Sequence, residues 1–151
     1  DLNFEWNIYG IRDIRFFENK YKIKATDVCV NIKGIASKDE LVDALCNASC
    51  YVHPSYIDNS PNSVCEPQLL GVPVVATNVG GVSTILDNGN AGLLVPANAP
   101  YELANLINKI CRDKDLAISM SEKERTLAKT RHDPKHILNQ LLSTYNKILK
   151  A

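Results

Sequence analysis

Residues 53–96 read HPSYIDNSPNSVCEPQLLGVPVVATNVGGVSTILDNGNAGLLVP, and their punctuation sets the fold class. The run Val72–Thr77 is apolar without alternation, as expected of a strand buried on both faces. A second short apolar run, Gly92–Val95, follows after a helical interval at Gly81–Leu86. Before them, Cys50–His53 is separated from Val72 by a polar loop and a helix-compatible segment, Ser63–Leu70. Strand, helix, strand, helix, strand in this order predicts parallel strands joined by helical crossovers.

The same alternation extends to both ends of the chain. Strands are expected at Phe4–Tyr9 and Val28–Lys33, with helices near Ile11–Ala25 and Lys38–Ala48. Beyond Asn98-Ala99-Pro100, the apolar residues Leu103, Leu106, Ile107, Ile110 and Cys111 recur at helical spacing. Asp133 and Pro134 suit the N-cap and first turn of a last helix. Its stripe of Ile137, Leu138, Leu141, Leu142, Tyr145, Ile148 and Leu149 requires a surface to dock on. With 151 residues, 45% hydrophobic, and no internal repeat or long linker, residues 1–151 read as one α/β domain: a Rossmann-like parallel sheet flanked by helices.

Composition removes several function classes. No apolar run approaches the roughly 18 residues of a membrane span, and DLNFEWNIYG does not open as a secretory signal. Seventeen basic and seventeen acidic residues cancel, which argues against nucleic acid as a partner. The balance is uneven: residues 1–108 hold seven Lys/Arg against twelve Asp/Glu, and residues 109–151 hold ten against five. That basic tail has the charge for a peripheral membrane contact or a lipid-linked acceptor, although its interleaved signs equally describe a solvated helix face. Five cysteines, without zinc-ligand pairing, suit a reducing cytosol. Cys46 and Cys50, four apart, read as buried small apolar residues rather than metal ligands. The aromatic set Trp6, Tyr9, Phe16, Phe17 and Tyr21 reads as core packing rather than base stacking, with some exposure expected where a further strand and helix would cover it. His53 reads as structural or orienting, and His132 and His136 as solvated.

In such a sheet, ligands collect beyond the carboxyl ends of the strands, where helix N-termini also point. That edge comprises Gly10, Gly34–Lys38, Pro54–Asn62 and Asn78–Gly81. The third loop is the longest, and it opens a helix carrying Glu66. Amides of Asn62, Ser63 and Val64 can receive phosphate, while Asp58 and Glu66 can grip sugar hydroxyls. Two plainer readings stay open on spacing alone. Ser63-Val64-Cys65-Glu66 fits a capping box, and Asp58-Asn59-Ser60-Pro61 fits an ordinary turn. Gly80 and Gly81 either admit a close backbone approach or simply make a tight turn.

Taken together, these residues closely resemble the donor-binding signature of the retaining GT-B glycosyltransferases of group 1. The signature's parts occur in order: Pro54-Ser55; the acidic pair Asp58 and Glu66 with seven residues between; Gly71-Val72-Pro73-Val74-Val75-Ala76-Thr77; Gly80-Gly81; and Gly92-Leu93-Leu94-Val95-Pro96. Weaker similarity covers nearly the whole chain. The resemblance implies the C-terminal half of a GT-B fold and transfer of a sugar from a nucleoside diphosphate sugar to a saccharide or lipid-linked acceptor with retention, as in polysaccharide or glycoconjugate synthesis. It implies donor-sugar contacts at Asp58, Ser60, Pro61 and Asn62, and nucleotide contacts at Glu66, Ser63, Val64, Gly34 and Ile35. It implies no cofactor and no metal, a cytoplasmic enzyme at the inner face of the membrane, and a final helix packing back toward the other domain.

The resemblance also implies that this chain is a fragment. The acceptor-binding N-terminal domain would lie outside it, as would the first strand and helix of this domain with their diphosphate-neutralising Arg and Lys. On that expectation the chain holds no catalytic residue and alone binds donor weakly. Asp58 replaces the usual Glu, shortening its reach by about 1.5 Å, and Pro67 stands where alanine is common. The alternatives are a non-catalytic nucleotide-binding module and a GT-B sugar phosphorylase or synthase.

Overall fold

A computed structural model describes residues 4–150. In chain order the elements are β1 (Trp6–Tyr9), α1 (Arg15–Tyr21), a 3-10 turn (Ala25–Val28), β2 (Val30–Gly34), α2 (Lys38–Cys46), β3 (Tyr51–His53), α3 (Asn62–Leu70), β4 (Val74–Thr77), α4 (Val82–Ile85), β5 (Leu93–Val95), α5 (Pro100–Arg112), α6 (Lys114–Arg131) and α7 (Pro134–Ile148). Every strand pairing is parallel, with helices between successive strands, as the alternating pattern predicts. The strands form two sheets, β1-β2 and β3-β4-β5, and the chain divides into compact units at residues 1–44 and 45–151.

In the first unit, β1 and β2 pair in register from Trp6 with Val30 to Ile8 with Ile32, then slip so that Tyr9 meets Gly34. Asn7 and Asn31 face each other in this ladder and share a side-chain hydrogen bond of 3.1 Å. Helix α1 is shorter than expected because Lys22 takes the left-handed conformation at its C-cap. Of the aromatic set, Phe16, Phe17 and Tyr21 are each more than half exposed. Two strands and a two-turn helix lack the surface to enclose them, and Phe16 packs edge-on against Phe17. At α2 a full capping box closes the N-terminus: the Ser37 amide and hydroxyl both donate to Glu40 Oε2, at 2.7 and 2.8 Å. The Glu40 amide donates back to the Ser37 hydroxyl.

The second unit is built around β4, whose four residues are all buried. Side-chain alternation sends Val74 and Ala76 to one face and Val75 to the other. Val74 and Ala76 pack with Val64, Cys65, Val82, Ile85 and Leu86 from α3, α4 and the turn beyond. Val75 packs with Ile110 of α5 and Met120 of α6. Sheet and helices thus make three layers, each face of β4 sealed by a different helix pair.

Helix α6 fixes the α3–β4 turn through polar groups. Ser121 donates to the Gly71 carbonyl and Arg125 to that of Leu70. Gly71 caps α3 at φ 74°, and a Cβ there would strike the Arg125 guanidinium. One turn along, the wholly buried Gln68 donates to the carbonyls of Ile85 and Ala91 and accepts from Arg131 Nη1 at 3.0 Å. Glu124 is also wholly buried; its Oε1 accepts the Val74 amide at 2.9 Å while Oε2 has no hydrogen-bond partner among the described residues.

Helix α7 buries no residue within this chain, and its stripe from Ile137 to Leu149 stays about half exposed or more. Cys46 is exposed at the end of α2 rather than buried. Cys50 is half-buried just before β3.

Burial pushes the Glu124 carboxyl up to about 8, against the lowering effect of the Val74 amide. The folded chain therefore keeps a proton that the unfolded chain releases. Glu124's contribution to stability is full below about pH 4.5, its ordinary value, and is lost as the pH rises to about 8. Glu124→Gln should melt roughly 5 °C above wild type at pH 9, and close to wild type at pH 4.5, by calorimetry; parallel curves would contradict this. Burial also pushes the Cys50 thiol up to about 12, with Cys111 adding to the effect. At pH 8, iodoacetamide should modify the exposed Cys29 and Cys46 first, leaving Cys50 and the buried Cys65 until the chain unfolds. Peptide mass mapping reads the order, and early labelling of Cys50 would contradict it.

Candidate functional site

The polar side chains of the second unit converge where β3 ends and α3 begins. Strand parity places Tyr51 and His53 on one face of β3 and Val52 on the other. Their rings stack with centroids 6.4 Å apart and planes 27° apart. Above them runs the loop 54–62, anchored at several points. The Thr77 hydroxyl, at the end of β4, donates to the Ser55 carbonyl and reaches that of His53 at 3.2 Å. The Gly81 amide donates to the Asn59 carbonyl at 2.9 Å. Farther out, the Tyr56 hydroxyl donates to Asn98 Oδ1 at 3.1 Å.

Gly80 and Gly81 answer the question left open by the sequence. Gly80 has φ 49°, and a Cβ on it would overlap the Asp58 carbonyl oxygen, as one on Gly81 would overlap that of Asn59. The close approach is real, and the approaching backbone is the chain's own loop. The pair is therefore both a tight turn and the seat of the loop that carries Asp58.

Asp58 is half-buried and held from two sides. Its Oδ1 accepts the Asn59 amide at 2.7 Å, and its Oδ2 lies 3.2 Å from His53 Nε2. The second contact has the distance of an ion pair without the alignment of a hydrogen bond, so the buried Nε2 has no directed partner. Ser60 is exposed and Pro61 buried.

Helix α3 presents the other half of the group. Its N-cap is Pro61, and no side chain caps it. The capping-box reading of Ser63 and Glu66 thus fails here, and the Ser-x-x-Glu box that does form is at Ser37 and Glu40. Asn62, Ser63 and Glu66 are exposed, whereas Val64, Cys65, Pro67 and Gln68 are buried. Asn62 and Glu66 are one turn apart on the open face, and helical side chains lean toward the N-terminus. The Asn62 and Ser63 amides have no acceptor within the helix. The expectation of a free Val64 amide is corrected: it donates to the Pro61 carbonyl at 3.1 Å, and the Val64 side chain is wholly in the core.

Tyr51 was missed in the sequence, where it reads only as a strand residue. Burial pushes its phenol up, the Ser63 hydroxyl opposes this, and the negative charges of Glu66 and Asp58 add to it. Strand parity, which sets Tyr51 beside His53, was the signal that could have revealed it. Gly34 and Ile35 belong to the first unit. Gly34 ends β2 at φ 75° and accepts the Gly10 amide at 2.7 Å, and Ile35 is largely exposed.

Chemically, the second unit offers two hydrogen-bond acceptors, the anchored Asp58 and the exposed Glu66, beside the positive end of a helix. Such a set suits a ligand with hydroxyls at two places and an anionic group between. Among the described residues, no three His, Cys, Asp or Glu side chains gather as metal ligands. No described helix is long and apolar enough to cross a membrane.

Comparison with known proteins places the chain in a family. Among curated relatives, the D-inositol 3-phosphate glycosyltransferase of Corynebacterium jeikeium is 36% identical over 94 residues, 62% of this chain and 22% of that protein. The capsular polysaccharide biosynthesis glycosyltransferase CapM of Staphylococcus aureus is 30% identical over 104 residues, 69% of this chain and 27% of that protein. The chain thus spans about a quarter of the length of these relatives. Among solved structures, HepE of Anabaena in complex with UDP-glucose superposes with a TM-score of 0.77 at 21% identity, covering 95% of this chain and 41% of that one; this likeness is one of fold. The family model of glycosyl transferases group 1 matches residues 12–127, and the chain belongs to that family.

Proposed function

We propose that this chain is the donor-binding part of a retaining glycosyltransferase, and that its second unit holds a nucleoside diphosphate sugar. The observation that carries this reading is the seating of the Asp58 loop on Gly80 and Gly81 at the start of α3, with Glu66 exposed one turn along from the open amides of that helix. In the proposal Glu66 takes the vicinal hydroxyls of the ribose, and Asp58 takes a hydroxyl of the transferred sugar. A carboxylate accepting from a hydroxyl makes a charge-assisted bond of about 1.5–3 kcal/mol. The diphosphate lies across the Asn62 and Ser63 amides, with Ser60 and Pro61 lining the sugar side. Val64 contributes through the helix turn it completes. Gly34 and Ile35 lie in the first unit and are left out of the site proposed for the second.

The chemistry follows from charge. As the sugar leaves, negative charge builds on the departing diphosphate, and fixed amide dipoles stabilise that charge without reorganising. The reading needs no resident metal ion or cofactor. Structures of HepE with UDP-glucose support a nucleotide sugar as donor, and relatives acting on inositol phosphate or in capsule synthesis support a saccharide or lipid-linked acceptor. That acceptor, retention, and a cytoplasmic site at the inner membrane face are parts of the proposal. The apolar face of α7, left open along Ile137, Leu141 and Tyr145, is the surface proposed for packing against the acceptor domain of the longer enzyme.

Saturation-transfer NMR tests the donor site directly, using UDP, GDP and ADP with their hexose conjugates beside Glu66→Ala. One base should be preferred, and Glu66→Ala should weaken both the nucleotide and its conjugate by about tenfold or more. Folded wild type that binds none of the six at millimolar concentration would contradict the reading. Gly80→Ala should weaken the hexose conjugate as well, because the displaced loop carries Asp58, while circular dichroism stays near wild type; unchanged binding would oppose the loop's role.

A further inference from the structure

His53 has a buried imidazole that the fold itself does not use. The residue closes β3 and is 8% exposed. Its carbonyl, not its ring, receives the Thr77 hydroxyl. The ring stacks on Tyr51, and its Nε2 atom lies 3.2 Å from Asp58 Oδ2. A buried ring nitrogen without a directed partner carries an uncompensated desolvation cost. A histidine serving only as core would be replaced at no loss by an apolar residue of its shape.

Asp58, for its part, is short and sits on a loop. A loop carboxylate with a free χ1 would spend rotamer entropy each time it engaged a ligand. Here the Asn59 amide takes Oδ1 and the His53 ring abuts Oδ2, so the carboxylate plane is fixed from both edges. Each oxygen accepts a single contact and keeps a lone pair for an incoming hydroxyl. The backbone beneath is fixed in turn by the Gly81 amide and the Thr77 hydroxyl.

We propose that His53 is a positioning residue: it holds the Asp58 carboxylate ready for the transferred sugar and so sets how strongly the site prefers a nucleotide sugar over the bare nucleotide. The proposal rests on the donor-site reading above and names which residue tunes one half of that site. His53 touches no ligand, because its Nε2 is sealed from solvent. Its effect passes through Asp58 alone. The titratable groups in contact with it are Asp58 and Tyr51.

The test measures the ratio of two affinities, by calorimetric titration of the 151-residue chain with UDP against UDP-glucose and with the guanosine and adenosine pairs. In His53→Ala the hexose conjugate should lose about tenfold in affinity, while the bare nucleotide stays within about twofold. His53→Gln keeps an N–H near the Nε2 position and should restore most of the ratio. In an Asp58→Asn background, His53→Ala should change the ratio no further. Equal losses for nucleotide and conjugate would mean that His53 merely supports the fold and would overturn the proposal, as would no loss or a glutamine that behaves like alanine. Wild type that binds the nucleotides and ignores these substitutions refutes the positioning role alone. Wild type that binds none of them refutes the donor-site reading and this proposal with it.

Discussion

Two residues without side chains let the loop 54–62 lie directly on the turn after β4, and the candidate site hangs from that approach. At Gly80 and Gly81 any Cβ would overlap the carbonyls of Asp58 and Asn59. With none there, the Gly81 amide reaches the Asn59 carbonyl and the Asp58 side chain falls beside His53. The loop's position is thus a consequence of missing atoms. The Thr77 hydroxyl adds the second fixed point, from the buried end of the central strand.

The rigidity behind this loop comes from β4 and the helices that seal it. Val74, Val75 and Ala76 are wholly buried, so the strand cannot shift without opening a core on either face. Helix α6 then ties the α3–β4 turn with Ser121, Arg125 and Glu124, all directed at backbone groups. These bonds hold α3, and so the Asn62 and Ser63 amides, at a fixed place above the end of β3. Glu124 is the weak member of the set, since it reaches the Val74 amide only by burying a carboxyl with one oxygen unpaired among the described residues. Such a cost is tolerable near the pH at which the group stays protonated, and less so above it.

Much of this was legible in the residues. The continuous apolar run that becomes β4 and the helical spacing of Leu103, Leu106 and Ile110 each dictate one outcome, and both formed where expected. The loop and the glycine turn were also visible, because the close approach at Gly80 and Gly81 requires residues without side chains. Where local pattern was ambiguous it misled. Ser-x-x-Glu occurs at Ser37 and at Ser63, and only the first forms a box, because the chain enters α3 through Pro61 rather than through a serine cap. The shortening of α1 depends on a left-handed lysine, Lys22, which no turn signature announces. The exposure of Phe16 and Phe17 depends on how little surface β1 and β2 offer, a quantity set by the whole unit and not by the helix. Tyr51 and His53 acquire meaning only once the strand places them under the loop.

The central claim is that Asp58 and Glu66 serve one ligand together, one at each end of a diphosphate laid on α3. A crystal structure of the chain grown with the nucleoside diphosphate hexose it prefers tests this most directly. The predicted result is a ribose at Glu66, phosphate oxygens facing the Asn62 and Ser63 amides, and a hexose hydroxyl on Asp58 with His53 unmoved behind it. A nucleotide bound elsewhere on the chain, or bound here with its hexose turned away from Asp58, would contradict it.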